Sequence, residues 1–182
     1  MWAPYDPATY QSVVDKITKT DVVLEIGAGD LRLSRLMARV SKQVYAIEIQ
    51  KDILVQSRQR LPENLRIFHG DARNLPYPHG LSVGVLLMRH CTHFQLYAEK
   101  LKASGCKRII TNCRWRMGVE EISLDINRKP YFFVEMGWYA CWCGSSGFKP
   151  GPVENYSPEM DSIVNEVVGC PHCKPDEHPV LV

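Results

Sequence analysis

Three carboxylates recur at equal intervals in the first half of the chain: Glu25, Glu48 and Asp71, each 23 residues from the next. Each ends or follows a short apolar run, in "VVLEI", "VYAIEI" and "LRIFHGD". Gly27 and Gly29 follow the first acid, and glycine lets a backbone come close to a ligand. At the carboxyl ends of neighbouring parallel strands, such acids line one crevice and face one ligand. A dinucleotide suits this crevice poorly, because G-x-G-x-x-G fails at Arg32 and Glu25 would repel a pyrophosphate. A zwitterionic amino acid carrying an adenosine suits it better. A second set of chemical residues lies near the other end: Cys141 and Cys143 in "CWCG", Cys170 and Cys173 in "GCPHC", with 26 residues between the inner cysteines. Four thiolates in two tight turns match tetrahedral zinc. His172 or His178 in place of one thiolate, an iron centre, or a redox pair at Cys170 and Cys173 remain alternatives.

Weaker candidates stand between these sets. "MRHCTHF" brings Arg89, His90 and His93 to the end of an apolar run, and His90 has the chemistry of a general base because imidazole titrates near neutrality. Asn112 in "NCRW" offers an amide and a nearby aromatic ring. Trp138 and Trp142, with Lys149 and Lys174 close by, could stack on nucleic acid if exposed; as buried rings they would simply pack the cysteine turns.

The elements that must hold these residues follow from patterning. Asp6 caps and Pro7 opens a helix with Tyr10, Val13, Val14 and Ile17 on one face. "DVVLEIGAGD", "QVYAIEI", "LRIFHG", "LSVGVLLMRH" and "KRIITNCRW" read as five strands, with helices in "LRLSRLMARV", "QKDILVQSRQRL" and "HFQLYAEKLKAS". Alternating strands and helices predict an α/β fold with a doubly wound, Rossmann-like parallel sheet. Beyond Gly118, "VEEISLD" and "PYFFVEMGWYACWC" predict an antiparallel strand pair at the sheet edge, "GSSGFKPGPVENYSPEM" a loop, and "SPEMDSIVNEVV" a short helix capped by Ser157. The domain reading is 1–140 for the main domain and 141–182 for a zinc-knuckle tail packed upon it. With 182 residues and a formal net charge of +2, composition does not demand a polyanionic partner. No apolar run reaches the length of a membrane span, the first residues lack signal-peptide features, and the expectation is a cytoplasmic protein.

"VVLEIGAGD", "VYAIEI" and "GDARNLPYP", in this strand order, resemble the class I S-adenosylmethionine-dependent methyltransferases over roughly residues 5 to 115. The resemblance implies that Gly27 and Gly29 shape the methionine-binding turn, with Glu25 near the methionine end. It implies that Glu48 accepts hydrogen bonds from the ribose hydroxyls, that Asp71 contacts the adenine amino group, and that the Ala72 backbone lies near the adenine. One position departs from the pattern: the family's third glycine is Leu31. The wording is most similar to the ribosomal RNA adenine dimethylases, in which an N-L-P-Y motif after the fourth strand receives the target base. Here Asn74 to Tyr77 precedes the fourth strand, so this string reads as a linker. The combined reading is a methyltransferase with S-adenosylmethionine as cofactor, a structural zinc, and RNA as the favoured acceptor. A small-molecule methyltransferase of the same fold, or a non-catalytic scaffold whose zinc tail docks a partner, are the alternatives.

Overall fold

Pro7 starts the first helix, α1 (Pro7–Val14), where Asp6 accepts the backbone N–H of Thr9 at 2.9 Å as the cap expected from sequence. A computed structural model describes residues 3–57 and 60–174. After α1 come β1 (Val22–Ile26), α2 (Arg32–Ala38), β2 (Gln43–Glu48), α3 (Lys51–Ser57), β3 (Leu65–His69), β4 (Val83–Leu86), α4 (Phe94–Ala103), β5 (Arg108–Thr111) and β6 (Glu120–Ser123). The expected continuation of α3 across 58 and 59 lies outside the described residues.

These strands form one sheet in the order β3-β2-β1-β4-β5-β6, with β1 to β5 parallel and β6 antiparallel to β5. The central strands are buried on both faces, as parallel strands covered by helices must be. Val23, Val44 and Val83 pack on one face with Val13, Leu33, Met37 and Leu54. Leu24, Leu86 and Ile109 pack on the other with Phe94, Ala98 and Leu101 of α4. The order of strand addition reverses at β1, which lies between β2 and β4, and the strand ends there open into a crevice.

The remaining strands, β7 (Lys129–Pro130), β8 (Gly137–Cys141), β9 (Ser146–Lys149) and β10 (Val164–Val168), form a second sheet in the order β7-β10-β8-β9. Three expectations change here. An antiparallel pair does stand at the main sheet's edge, but it consists of β5 and β6; the following apolar segment breaks into a 3-10 turn at Tyr131–Phe133 and joins the second sheet as β8. The Gly- and Ser-rich stretch after Cys143 contains strand β9, antiparallel to β8. The expected helix after Ser157 is only a 3-10 turn, Pro158–Ser162, whose β-branched continuation becomes β10.

Candidate cofactor site and cysteine cluster

The turn after β1 carries three consecutive demands for left-handed backbone, at Gly27 (φ 77°), Gly29 (φ 54°) and Leu31 (φ 64°). A side chain on Gly27 would also meet the Met88 methyl at 3.2 Å. Leu31 takes the conformation that glycine usually takes, and its side chain is fully buried in the core. The departure at position 31 therefore leaves the course of the turn intact.

Glu48 closes this turn from β2. Its carboxylate accepts the N–H of Gly29 at 2.7 Å and of Gln50 at 2.8 Å, one on each oxygen, which leaves lone pairs on both. Glu25 lies beneath, buried and hydrogen-bonded by the Ser34 hydroxyl. Burial pushes the Glu25 carboxyl up to about 8; the Ser34 bond opposes the shift and the neighbouring Glu48 charge adds to it. Both acids line a cavity of about 300 Å³ together with Tyr10, Gly27 and Leu87.

Asp71 stands in a turn after β3. Arg73 grips it in a fork, with Nη2 at 2.6 Å from Oδ2, and in turn meets the His93 ring at 3.1 Å. Hydrogen bonds from the Arg73 side chain and backbone hold the Asp71 carboxyl below its ordinary range. Asp71 and buried Ala72 line a second cavity of about 140 Å³. Gly27, Ile49 and Met88 border both cavities, so one cleft runs from Glu25 and Glu48 to Asp71 across the ends of β1, β2 and β3. Of the six residues singled out from sequence, Glu25, Gly27, Glu48, Asp71 and Ala72 line this groove, and Gly29 lines neither cavity but joins it through its bond to Glu48.

Several residues of this groove escaped sequence reasoning. Ile49 is 56 % exposed and lies between the two cavities, where an apolar side chain can cover a planar ring. Its only signal is its place directly after the strand-end acid. Lys100 reaches from α4 to the carbonyl oxygens of Ala72, Arg73 and Leu75 at 2.7 to 2.8 Å, and so fixes the loop that carries Asp71. Asn74 is exposed in that loop and Tyr77 is buried under the Lys100 ammonium, 4.5 Å from the ring centroid. This matches a structural linker.

Of the weaker candidates, Arg89 and His93 border the groove, whereas His90 and Asn112 line neither of its cavities. His90 is exposed, with φ 62°, and lines a different cavity toward the second sheet. Asn112 is buried just after β5, and among the described residues neither polar atom of its side chain has a hydrogen-bond partner. Arg89 borders the Glu48 cavity and stacks over Tyr5 at 5.3 Å.

In the second sheet, Cys141 ends β8, Cys143 follows in the turn to β9, and Cys170 and Cys173 follow β10. Their sulfur atoms all lie within 4.8 Å of one another. The separations are 3.9 Å for Cys141 to Cys173, 3.6 Å for Cys143 to Cys170 and 3.8 Å for Cys170 to Cys173. Gly144 completes the turn at φ 104°, where a side chain would strike Phe94 of α4 at 2.9 Å. The turn is thus pressed against α4, with Trp142 edge-on to Phe94. His172 is exposed and stands outside this cluster; His178 lies outside the described residues.

Residues 23–110 match the family model described as a methyltransferase domain. A ribosomal RNA small subunit methyltransferase from Arabidopsis thaliana is 23% identical over 172 residues, which cover 81% of this chain and 45% of the relative. An rRNA adenine N-6-methyltransferase from Streptococcus sanguinis is 33% identical over 78 residues, 38% of this chain and 32% of that one. Among solved structures, a dimethyladenosine transferase from Plasmodium falciparum superposes with a TM-score of 0.52 at 23% identity, covering 58% of this chain and 41% of that chain. In strand order and in this match the chain is similar to class I methyltransferase domains. The chain is related to the S-adenosylmethionine-dependent enzymes of that class and, within them, to the rRNA adenine dimethylases. It spans less than half the length of these curated relatives.

Proposed function

We propose that this chain is an S-adenosylmethionine-dependent methyltransferase that acts on RNA in the cytoplasm and carries a structural zinc in its second sheet. The observation that supports the cofactor most strongly is the continuous groove from Glu48 to Asp71, with a glycine turn at its centre. Glu48 has free lone pairs for two ribose hydroxyls and is already held rigid by two backbone N–H groups. Asp71 stays ionised and accepts from an adenine amino group, while Ala72 and Ile49 border the ring. Gly27 and Gly29 leave room for the methionine portion, and Glu25 receives its ammonium. When bound, the cofactor supplies an electrophilic methyl group on a sulfonium. The protein then needs chiefly to align an acceptor and exclude water, so a dedicated base is not essential.

Zinc is supported by the sulfur spacing. Four thiolates at a Zn–S distance of about 2.3 Å stand about 3.8 Å apart in a tetrahedron, close to the three separations given above. Cys141, Cys143, Cys170 and Cys173 would hold it as a closed site that organises a small sheet.

RNA as acceptor is supported by relatives named as ribosomal RNA methyltransferases. Incubation of the purified protein with tritiated S-adenosylmethionine and separated RNA, protein and metabolite fractions tests it. Label is expected in RNA. Label confined to the protein or metabolite fraction would overturn the acceptor, and label in no fraction would favour the scaffold reading.

A further inference from the structure

A third cavity, of about 360 Å³, opens where the two sheets meet. Its walls come from His90 after β4, from Cys113 to Met117 after β5, and from Trp138 and Gly147 of the second sheet. Arg89, the neighbour of His90, borders the Glu48 cavity, so both openings share the turn between β4 and α4.

Two indoles dominate the space. Trp115 and Trp138 stand edge to face with centroids 5.0 Å apart. Trp138 is fixed by its indole N–H, which donates to Asp161 at 2.9 Å, and by Phe148 at 5.3 Å. The exposed guanidinium of Arg116 lies 4.7 Å from the half-buried Trp115 ring. Among the described residues no carboxylate lines the cavity. Arg116 and Met117 both hold φ at 51°, a left-handed conformation that costs residues with side chains about 1 kcal/mol or more and tends to persist at sites of use. Arg116 also donates to the Asp161 backbone carbonyl, with the Asp161 carboxylate nearby, and remains exposed at the cavity's edge. Aromatic faces beside such a guanidinium are the chemistry that binds a planar base joined to a phosphate.

We propose that this cavity seats one unpaired base of an RNA acceptor, stacked at Trp115 with an adjoining phosphate at Arg116. The inference rests on the RNA reading above and gives it a location. That location lies beyond β5, on the side of the β4 turn away from the cofactor groove.

Fluorescence anisotropy with a dye-labelled single-stranded oligoadenylate tests it, using the zinc-loaded wild type, Trp115→Leu and Arg116→Glu. Calorimetry with S-adenosylhomocysteine monitors the groove in parallel. Trp115→Leu is expected to weaken RNA binding about tenfold, and Arg116→Glu to weaken it and flatten its salt dependence, while both keep wild-type affinity for S-adenosylhomocysteine. Should Trp115→Leu lose both ligands through misfolding, the exposed Arg116→Glu decides alone. Wild-type RNA affinity in the variants would overturn the cavity assignment and spare the RNA reading. Failure of the wild type to bind the oligoadenylate would overturn both.

Discussion

Glu25 spends folding energy on a carboxyl that water would ionise easily. The folded protein retains its proton up to about pH 8, whereas the unfolded chain releases it near its ordinary value of 4.5. The folded state therefore binds more protons across that window, and stability falls as pH rises through it. Glu25→Gln imitates the protonated form. Its melting temperature should equal that of the wild type near pH 4 and exceed it near pH 9, and equal values at both pH settings would contradict the burial argument. A cationic ligand beside Glu25 draws the ionised form, so cofactor binding at pH 7 should release a proton. Calorimetry in buffers of different ionisation enthalpy reads that release, which Glu25→Gln should abolish. Leu31 illustrates a different balance. Glycine at this position would relieve the left-handed backbone by about 1 to 2 kcal/mol but remove a fully buried side chain worth about 2 to 5 kcal/mol. Leu31→Gly is therefore expected to lose about 1 to 3 kcal/mol of stability in urea unfolding; a gain would show that strain outweighs packing here. The groove residues were legible in sequence because acids at strand ends keep a fixed relation to the sheet. The bonds of Ser34 to Glu25 and of Lys100 to the Asp71 loop were not, since each joins elements that pack only in three dimensions.

At the scale of elements, the first half of the chain could be read because each strand is an apolar run closed by glycine or acid and followed by helical spacing. From Gly118 onward that regularity ends. The Pro130–Cys143 segment is apolar apart from Glu135, and apolarity alone does not reveal which sheet a strand joins. β9 lay hidden in Gly- and Ser-rich sequence and β10 in a stretch that reads as the end of a short helix, because a four-stranded sheet with little core takes its order from what staples it. Val167, Cys141 and Cys170 with Tyr131 and Val134 are nearly the whole core of that sheet. The zinc proposal thus makes a strong demand. Cys170→Ser should lower bound zinc well below one ion per chain and reduce the melting temperature by about 5 °C or more. Full metal content in that variant would contradict a four-thiolate site.

For the whole molecule, a buried charge network joins the two sheets. Arg114, fully enclosed, pairs with Glu120 of β6 at 3.3 Å and with Glu166 of β10 at 2.5 Å, and Arg128 adds a contact to Glu166 at 3.2 Å. Such a network is costly to break from one side, because each unpaired charge remains buried. The proposed cofactor groove, by contrast, is lined among the described residues by groups from the segment between Ala3 and Tyr97. Removing zinc should therefore loosen the second sheet and weaken RNA binding while leaving affinity for S-adenosylhomocysteine nearly unchanged. Parallel titrations before and after chelation check this, and equal loss of both ligands would show that the two sheets act as one unit. The most direct measurement remains calorimetric titration of S-adenosylmethionine and S-adenosylhomocysteine into wild type and Glu48→Ala. The groove predicts micromolar binding by the wild type and a loss of about tenfold or more in the variant; no binding below millimolar concentration, or equal affinity in both proteins, would contradict it.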